Sequence, residues 1–188
     1  MNDFSVSVAK IAQILDLKNF TDNIDLKKIK ITSSDVNRPA LQLTGYFAHF
    51  EQSRIQMIGN VEYAYIQQMS DEEKRIRYSA FLQFEIPCVI FCRDLQPDAI
   101  FIEQAEKNHV PILGTSRPTS EFMAELIYTL AEKLAPSITV HGVLVDVYGE
   151  GLMITGDSGI GKSEAALELI RRGPVSYTHL RAHETDQY

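Results

Sequence analysis

Apolar positions along the chain fall into short blocks whose spacing changes from helical to continuous and back. Val6, Ala9, Ile11, Ile14 and Leu15 recur at roughly helical intervals before the chain turns polar over residues 18–25, which predicts a first amphipathic helix. Residues 28–32 form a short β-prone run, 33–39 a polar loop, and 41–45 either a strand or an ordered connection. A strand over 55–58, helical patterns over 62–69 and 71–81, a continuously apolar strand over 88–91, a helix over 98–107 and a short strand over 111–113 follow. Strands that are apolar throughout are covered on both faces. Alternating with helices, they predict an α/β module with parallel pairing. A long helix over 121–134, with Thr119 or Ser120 as its cap, stops before Pro136.

Beyond Pro136 the pattern changes. Residues 137–147 are β-rich, 148–151 make a turn, 152–155 form a second strand and 164–171 are helical. Two strands joined by so short a turn must pair antiparallel, because a parallel pair needs a crossover of a dozen residues or more. Between the second strand and the helix lies Gly156-Asp-Ser-Gly-Ile-Gly-Lys-Ser163, the spacing G-x-x-x-x-G-K-S. Gly156, Gly159 and Gly161 let bare backbone wrap phosphate oxygens, with successive N–H groups and the helix N-terminus facing the charge. Lys162 would reach the β- and γ-phosphates, and Ser163 offers a hydroxyl to a bridging Mg²⁺. Asp157, Ser158 and Ile160 contribute through their backbone. The competing reading is a glycine-rich turn that merely caps a helix. A hairpin leading into the loop departs from the usual P-loop protein, in which that strand belongs to βαβ units.

Composition narrows the partners. With 18 basic and 25 acidic residues the net charge is −7 over 188 residues, so no global field draws in nucleic acid or an anionic membrane. Cys88 and Cys92 sit in the apolar run Ile86-Pro-Cys-Val-Ile-Phe-Cys92, a spacing unsuited to a zinc knuckle or a redox CxxC, and read as buried, reduced thiols. The first 17 residues lack a signal-peptide core, and no apolar run reaches membrane-spanning length, so a soluble cytoplasmic protein is expected. Asp146 reads as a strand-edge carboxylate before a metal ligand or base. Residues 71–75, Asp-Glu-Glu-Lys-Arg, suit a helix start with acids first. Glu103, Glu106 and His109 have metal-ligand types at helix-like spacing but read as an exposed face, and Met57, Met69, Tyr63 and Tyr65 as packing.

The run His141-Gly-Val-Leu-Val-Asp-Val-Tyr148 and the stretch from Thr155 through Gly173 resemble the bacterial HPr kinase/phosphorylase family, and Asn37-Arg-Pro-Ala-Leu-Gln-Leu-Thr-Gly-Tyr46 and Arg54-Ile-Gln-Met-Ile-Gly59 resemble its amino-terminal domain. The resemblance covers about residues 1–173. It implies an amino-terminal α/β domain over 1–134 and, over 135–173, the start of a P-loop kinase domain whose fold is similar to that of phosphoenolpyruvate carboxykinase. It further implies phosphorylation of a seryl residue of the phosphocarrier HPr with ATP or pyrophosphate and Mg²⁺, phosphorolytic removal of that phosphate, control of carbon catabolism, and hexamers formed through the kinase domain. In such an enzyme His141 joins Lys162 in the catalytic set, the cofactor-binding residues are 156–163 and Ser163 is the metal ligand.

After Gly173 the resemblance stops. Family members carry an adjacent pair of aspartates in the next strand, one of them the proton acceptor for the serine hydroxyl. Here His179 and Leu180 stand in that region, and neither replaces an inherited carboxylate. Residues 174–188 are therefore expected to be an aberrant tail foreign to the fold, the chain to be a truncated and inactive version, and Val143, Val145 and Leu169 to be left exposed. Two other readings stay open: a different P-loop kinase or ATPase, and a non-catalytic ligand- or partner-binding module in the amino-terminal half.

Overall fold

The apolar runs over 55–58, 89–91 and 112–114 assemble as the central strands of one sheet, buried on both faces. A computed structural model describes residues 4–136, 141–147, 149–172 and 175–177, in two compact units, Met1–Pro136 and Ser137–Tyr188. In chain order the first unit contains β1 (Val6–Ser7), α1 (Val8–Ile14), β2 (Lys18–Asn19), β3 (Lys30–Ile31), β4 (Val36–Asn37), α2 (Ala40–Leu43), β5 (Ile55–Ile58), α3 (Asn60–Gln67), α4 (Asp71–Leu82), β6 (Val89–Phe91), α5 (Ala99–Lys107), β7 (Ile112–Gly114) and α6 (Thr119–Leu134). Strands β4, β5, β6 and β7 are parallel neighbours, β2 closes the β7 edge antiparallel, and β1 pairs separately with β3.

Alternation along the strands sorts the core into two layers, because successive side chains of a strand point to opposite faces. Ile55, Met57, Cys88, Ile90, Cys92 and Leu113 meet Phe122, Leu126 and Leu130 of α6 and Val8 and Ile11 of α1. Ile58, Val89, Phe91 and Ile112 meet Leu43, Ile66, Tyr78, Phe81 and Phe101 from α2 to α5. Mixed α/β structure with a parallel sheet is thus what the apolar runs predict and what the chain adopts. Among the described residues no helix is long and apolar enough to cross a membrane.

Local chemistry fixes the helix starts. Ser70 and Glu73 form a reciprocal capping box at α4, so the acids of residues 71–73 lie in its first turn. Asp98 caps α5 through Phe101 N–H at 2.9 Å, accepts from Tyr78 at 3.0 Å and pairs with Lys74 at 3.0 Å. Three sequence expectations change. Residues 41–45 contribute to a short helix, because Leu43 has to reach the core one turn after Pro39. The loop over 33–39 contains β4, two residues too short to show a period. Helix α6 begins at Thr119 with Pro118 at the cap position and no side-chain cap, since proline has no side-chain oxygen to accept from the first turn.

The second unit consists of β8 (Gly142–Val147), β9 (Glu150–Thr155), α7 (Lys162–Arg172) and β10 (Val175–Tyr177), with sheet order β10-β8-β9, all antiparallel. Residues 175–177 therefore pair with β8 instead of lying apart from the fold; His179 and Leu180 are outside the described residues. The expected exposure is also corrected. Val145 is fully buried and Val143 and Leu169 are half-buried, with α7 closing over β8 through the buried Ala166, whereas Leu152, Met153, Ile160 and Leu167 are exposed.

Candidate phosphate-binding site

The register of β8 with β9 positions the site. Val147 pairs with Glu150, so the chain reverses between them. Gly149 has φ +85°, a left-handed backbone that glycine adopts without a Cβ clash. Asp146 Oδ1 accepts from the Gly149 N–H at 2.8 Å, so this carboxylate holds its own turn. At the other end of the ladder Gly142 pairs with Thr155. That pairing sets His141, which is exposed, at the strand end that abuts Gly156 across the hairpin.

From Thr155 the chain enters the loop and leaves it at Lys162, the first residue of α7. Gly156, Gly159 and Gly161 have φ of +153°, +82° and +93°. Successive glycines in such conformations build concave backbone nests that bind anions. The Ile160 N–H donates to Asp157 O at 3.3 Å, and the Ala165 N–H to Gly161 O at 2.9 Å as the helix begins. Lys162 folds back over the loop, its Nζ donating to Gly156 O at 2.8 Å and to Asp157 O at 2.7 Å. The structure thus gathers Gly156, Asp157 and Lys162 in one ring of contacts. Ser163 follows in the first turn of the helix, exposed, as are Asp157, Ser158 and Ile160.

The other chemistry-bearing residues go elsewhere. Glu103 pairs with Arg75, and Glu106 accepts from Asn23 at 3.1 Å. Among the described residues no cluster of three His, Cys, Asp or Glu side chains could hold a metal. Cys88 and Cys92 are buried, and burial pushes their thiols up to about 12 and about 11. They are packing groups at neutral pH.

The family described as "HPr Serine kinase N terminus" matches residues 6–130, and the family "HPr Serine kinase C-terminal domain" matches 132–176. An HPr kinase/phosphorylase of Lachnoclostridium phytofermentans is 51% identical over 170 residues, covering 90% of this chain and 55% of that protein. One from Clostridium botulinum strain Eklund 17B is 45% identical over 169 residues, again 90% and 55%, and one from Clostridium tetani is 47% identical over 158 residues, 84% and 52%. The chain spans about half the length of the curated relatives it matches. Among solved structures, the CBS and DRTGG regulatory region of Clostridium perfringens pyrophosphatase aligns with 64% of this chain and 45% of that one at a TM-score of 0.43 and 17% identity, too distant to bear on the fold. With both family matches falling on a glycine loop, its lysine and the sheet module that precedes them, the chain belongs to the HPr serine kinase family.

Proposed function

We propose that residues 141–163 are the nucleotide-binding opening of an enzyme that phosphorylates a seryl residue of the phosphocarrier HPr and removes that phosphate by phosphorolysis. ATP or pyrophosphate is the donor and Mg²⁺ the metal, and the outcome is control of carbon catabolism. The observation that carries this reading is the Lys162 ammonium folded over Gly156 and Asp157 in a loop whose three glycines all have positive φ.

The residues present fit a polyphosphate. Gly156 has φ +153°, a backbone strained for any residue with a Cβ, and a Cβ there would also come within 3.1 Å of Ile160 Cγ2. An ammonium has three protons, and Lys162 spends two on carbonyls, which leaves one for an anion held in the nest. Lys162 supplies positive charge where charge spreads over the transferring phosphoryl oxygens. Ser163 would hold Mg²⁺, which when bound neutralises charge between neighbouring phosphates. His141, at the strand end, donates a hydrogen bond to a phosphate oxygen and orients it.

The domain plan follows: 1–134 as the amino-terminal module and 135–173 as the start of a P-loop kinase domain akin to that of phosphoenolpyruvate carboxykinase, with residues 175–177 adding a strand to its sheet. Relatives' HPr is the protein partner, hexamers form through the kinase domain, and the protein works in the cytoplasm without nucleic acid or membrane. A base must take the proton from the seryl hydroxyl as it attacks. The 188 residues contain no two adjacent aspartates. This polypeptide by itself is therefore proposed to bind nucleotide without transferring phosphate.

Calorimetric titration of the chain with ATP and Mg²⁺, followed by incubation with HPr and mass analysis of its serines, tests both parts. Binding that disappears in Lys162→Met, with HPr unmodified, is the expected result. Absence of ATP binding overturns the site, and phosphoserine on HPr overturns the claim of inactivity.

A further inference from the structure

The helices that follow β6 and β7 pack on opposite faces of the sheet of the first unit. Helix α5, which follows β6, packs on the layer of Tyr78 and Phe81, whereas α6, which follows β7, packs on the layer of Val8 and Ile11. The loops after β6 and β7 therefore leave toward opposite faces, and ligands of open parallel sheets bind beyond the carboxyl ends of the strands. A cavity of about 320 Å³ occupies that position, the size of a small-metabolite site. Asp94 and Gln96 line it from the loop after β6, Thr115 and Arg117 from the loop after β7, and Asp16 and Lys18 from the edge at β2.

The walls are held in costly backbone. Arg93, Asp94 and Asp16 have φ of +61°, +55° and +50°, left-handed conformations that non-glycine residues keep only where their surroundings fix them. The surroundings do so by lacing the two loops together: the Arg93 N–H donates to Arg117 O at 3.1 Å and the Asp94 N–H to Thr115 O at 3.0 Å. Gly114 is required at the floor, because a Cβ there would meet the Phe20 ring at 2.5 Å.

Charge selects the occupant. Among the described residues the carboxylates of Asp16 and Asp94 take part in no ion pair, and the Lys18 ammonium lies over the Phe20 ring, 4.6 Å from its centroid. Arg117 pairs with Glu125 through one nitrogen and keeps further donors. Two acids and two bases thus line one open cavity without pairing with each other, an arrangement complementary to an occupant that carries both signs. We propose that this cleft binds a free α-amino acid, its carboxylate on Lys18 and Arg117 and its ammonium on Asp94 and Asp16, as a ligand site of the amino-terminal unit separate from the phosphate loop.

The test titrates the full 188-residue chain with each common L-amino acid in turn, reading the thermal transition and calorimetric heat, with inorganic phosphate, acetate and methylamine as single-charge controls. At least one amino acid raises the transition while the controls leave it unmoved. Lys18→Met and Asp94→Asn each weaken that binding by about tenfold or more, and ATP binding by the loop is unchanged. Asparagine tolerates the left-handed backbone of residue 94, so Asp94→Asn removes charge alone. The proposal is overturned if no amino acid shifts the transition, if phosphate or acetate does so equally well, or if both variants bind as the parent does.

Discussion

Lys162 Nζ lies 2.8 Å from the carbonyl oxygen of Gly156, the first residue of the loop whose helix Lys162 begins. A second bond to Asp157 O at 2.7 Å completes the closure. The same ammonium that would meet a phosphate therefore also holds the loop in shape beforehand. Lys162→Met removes both roles, and affinity for ATP with Mg²⁺ is expected to fall by at least about a hundredfold, the equivalent of one strong charge-assisted contact plus loss of preorganisation. Lys162→Arg is expected to rescue little, since a planar fork does not fit a site built for a compact charge. Calorimetry on the three proteins checks the order.

Glu62 is buried at the start of α3, its side chain 2% exposed, accepting from the Gly59 N–H at 3.0 Å and from Arg38 at 2.8 Å. Arg38→Ala strands that carboxylate with one donor, and the expected loss is about 2 kcal/mol, below the full cost of breaking a buried pair because the Arg38 side is open to water. Urea unfolding measures it. Gly59→Ala is expected to be at least as damaging, since a Cβ there would lie 2.8 Å from Thr119 Oγ1.

The two thiols give a pH prediction. Burial raises Cys88 and Cys92 to about 12 and about 11, above the value of 9.0 for an unperturbed thiol. Between pH 9 and 11 the unfolded chain loses these protons while the folded one keeps them, so the unfolded state binds fewer protons and stability falls as pH rises. Each thiol contributes up to about 1.4 kcal/mol per pH unit in that window. Guanidinium midpoints at pH 8 and pH 10 should separate accordingly, and replacing both cysteines with alanine should remove the thiol part of the difference. Native thiols should also resist Ellman's reagent at pH 8 until denaturant is added.

Asp146 distinguishes a turn from a metal site. Asp146→Asn keeps an oxygen for the Gly149 N–H and is expected to leave hairpin stability and ATP binding almost unchanged, whereas Asp146→Ala costs about 1 kcal/mol. A metal ligand would show the opposite pattern, with asparagine already lowering Mg²⁺-dependent binding.

Local chemistry in the sequence already determined much of this protein. The run 55–58 is a strand with those bounds, Ser70 with Glu73 starts a helix at 71, Asp98 caps the next, and the spacing from Gly156 to Ser163 lies between a strand and a helix. Each depends on a period or a cap written in a few neighbouring residues, which act before distant contacts form. Tertiary structure decided the rest. Strands β2 and β4 are two residues each and exist only because β7 and β5 offer edges to pair with. Thr119 is buried beside Gly59, 60 positions earlier in the chain, and lies inside the helix that Pro118 opens. Asp16, Lys18, Asp94 and Arg117 carry no shared spacing and converge only where the loops after β6 and β7 meet the β2 edge. A period can be read from side chains that share a face of one element, whereas a cleft between loops is set by the order of the strands, which no local pattern encodes.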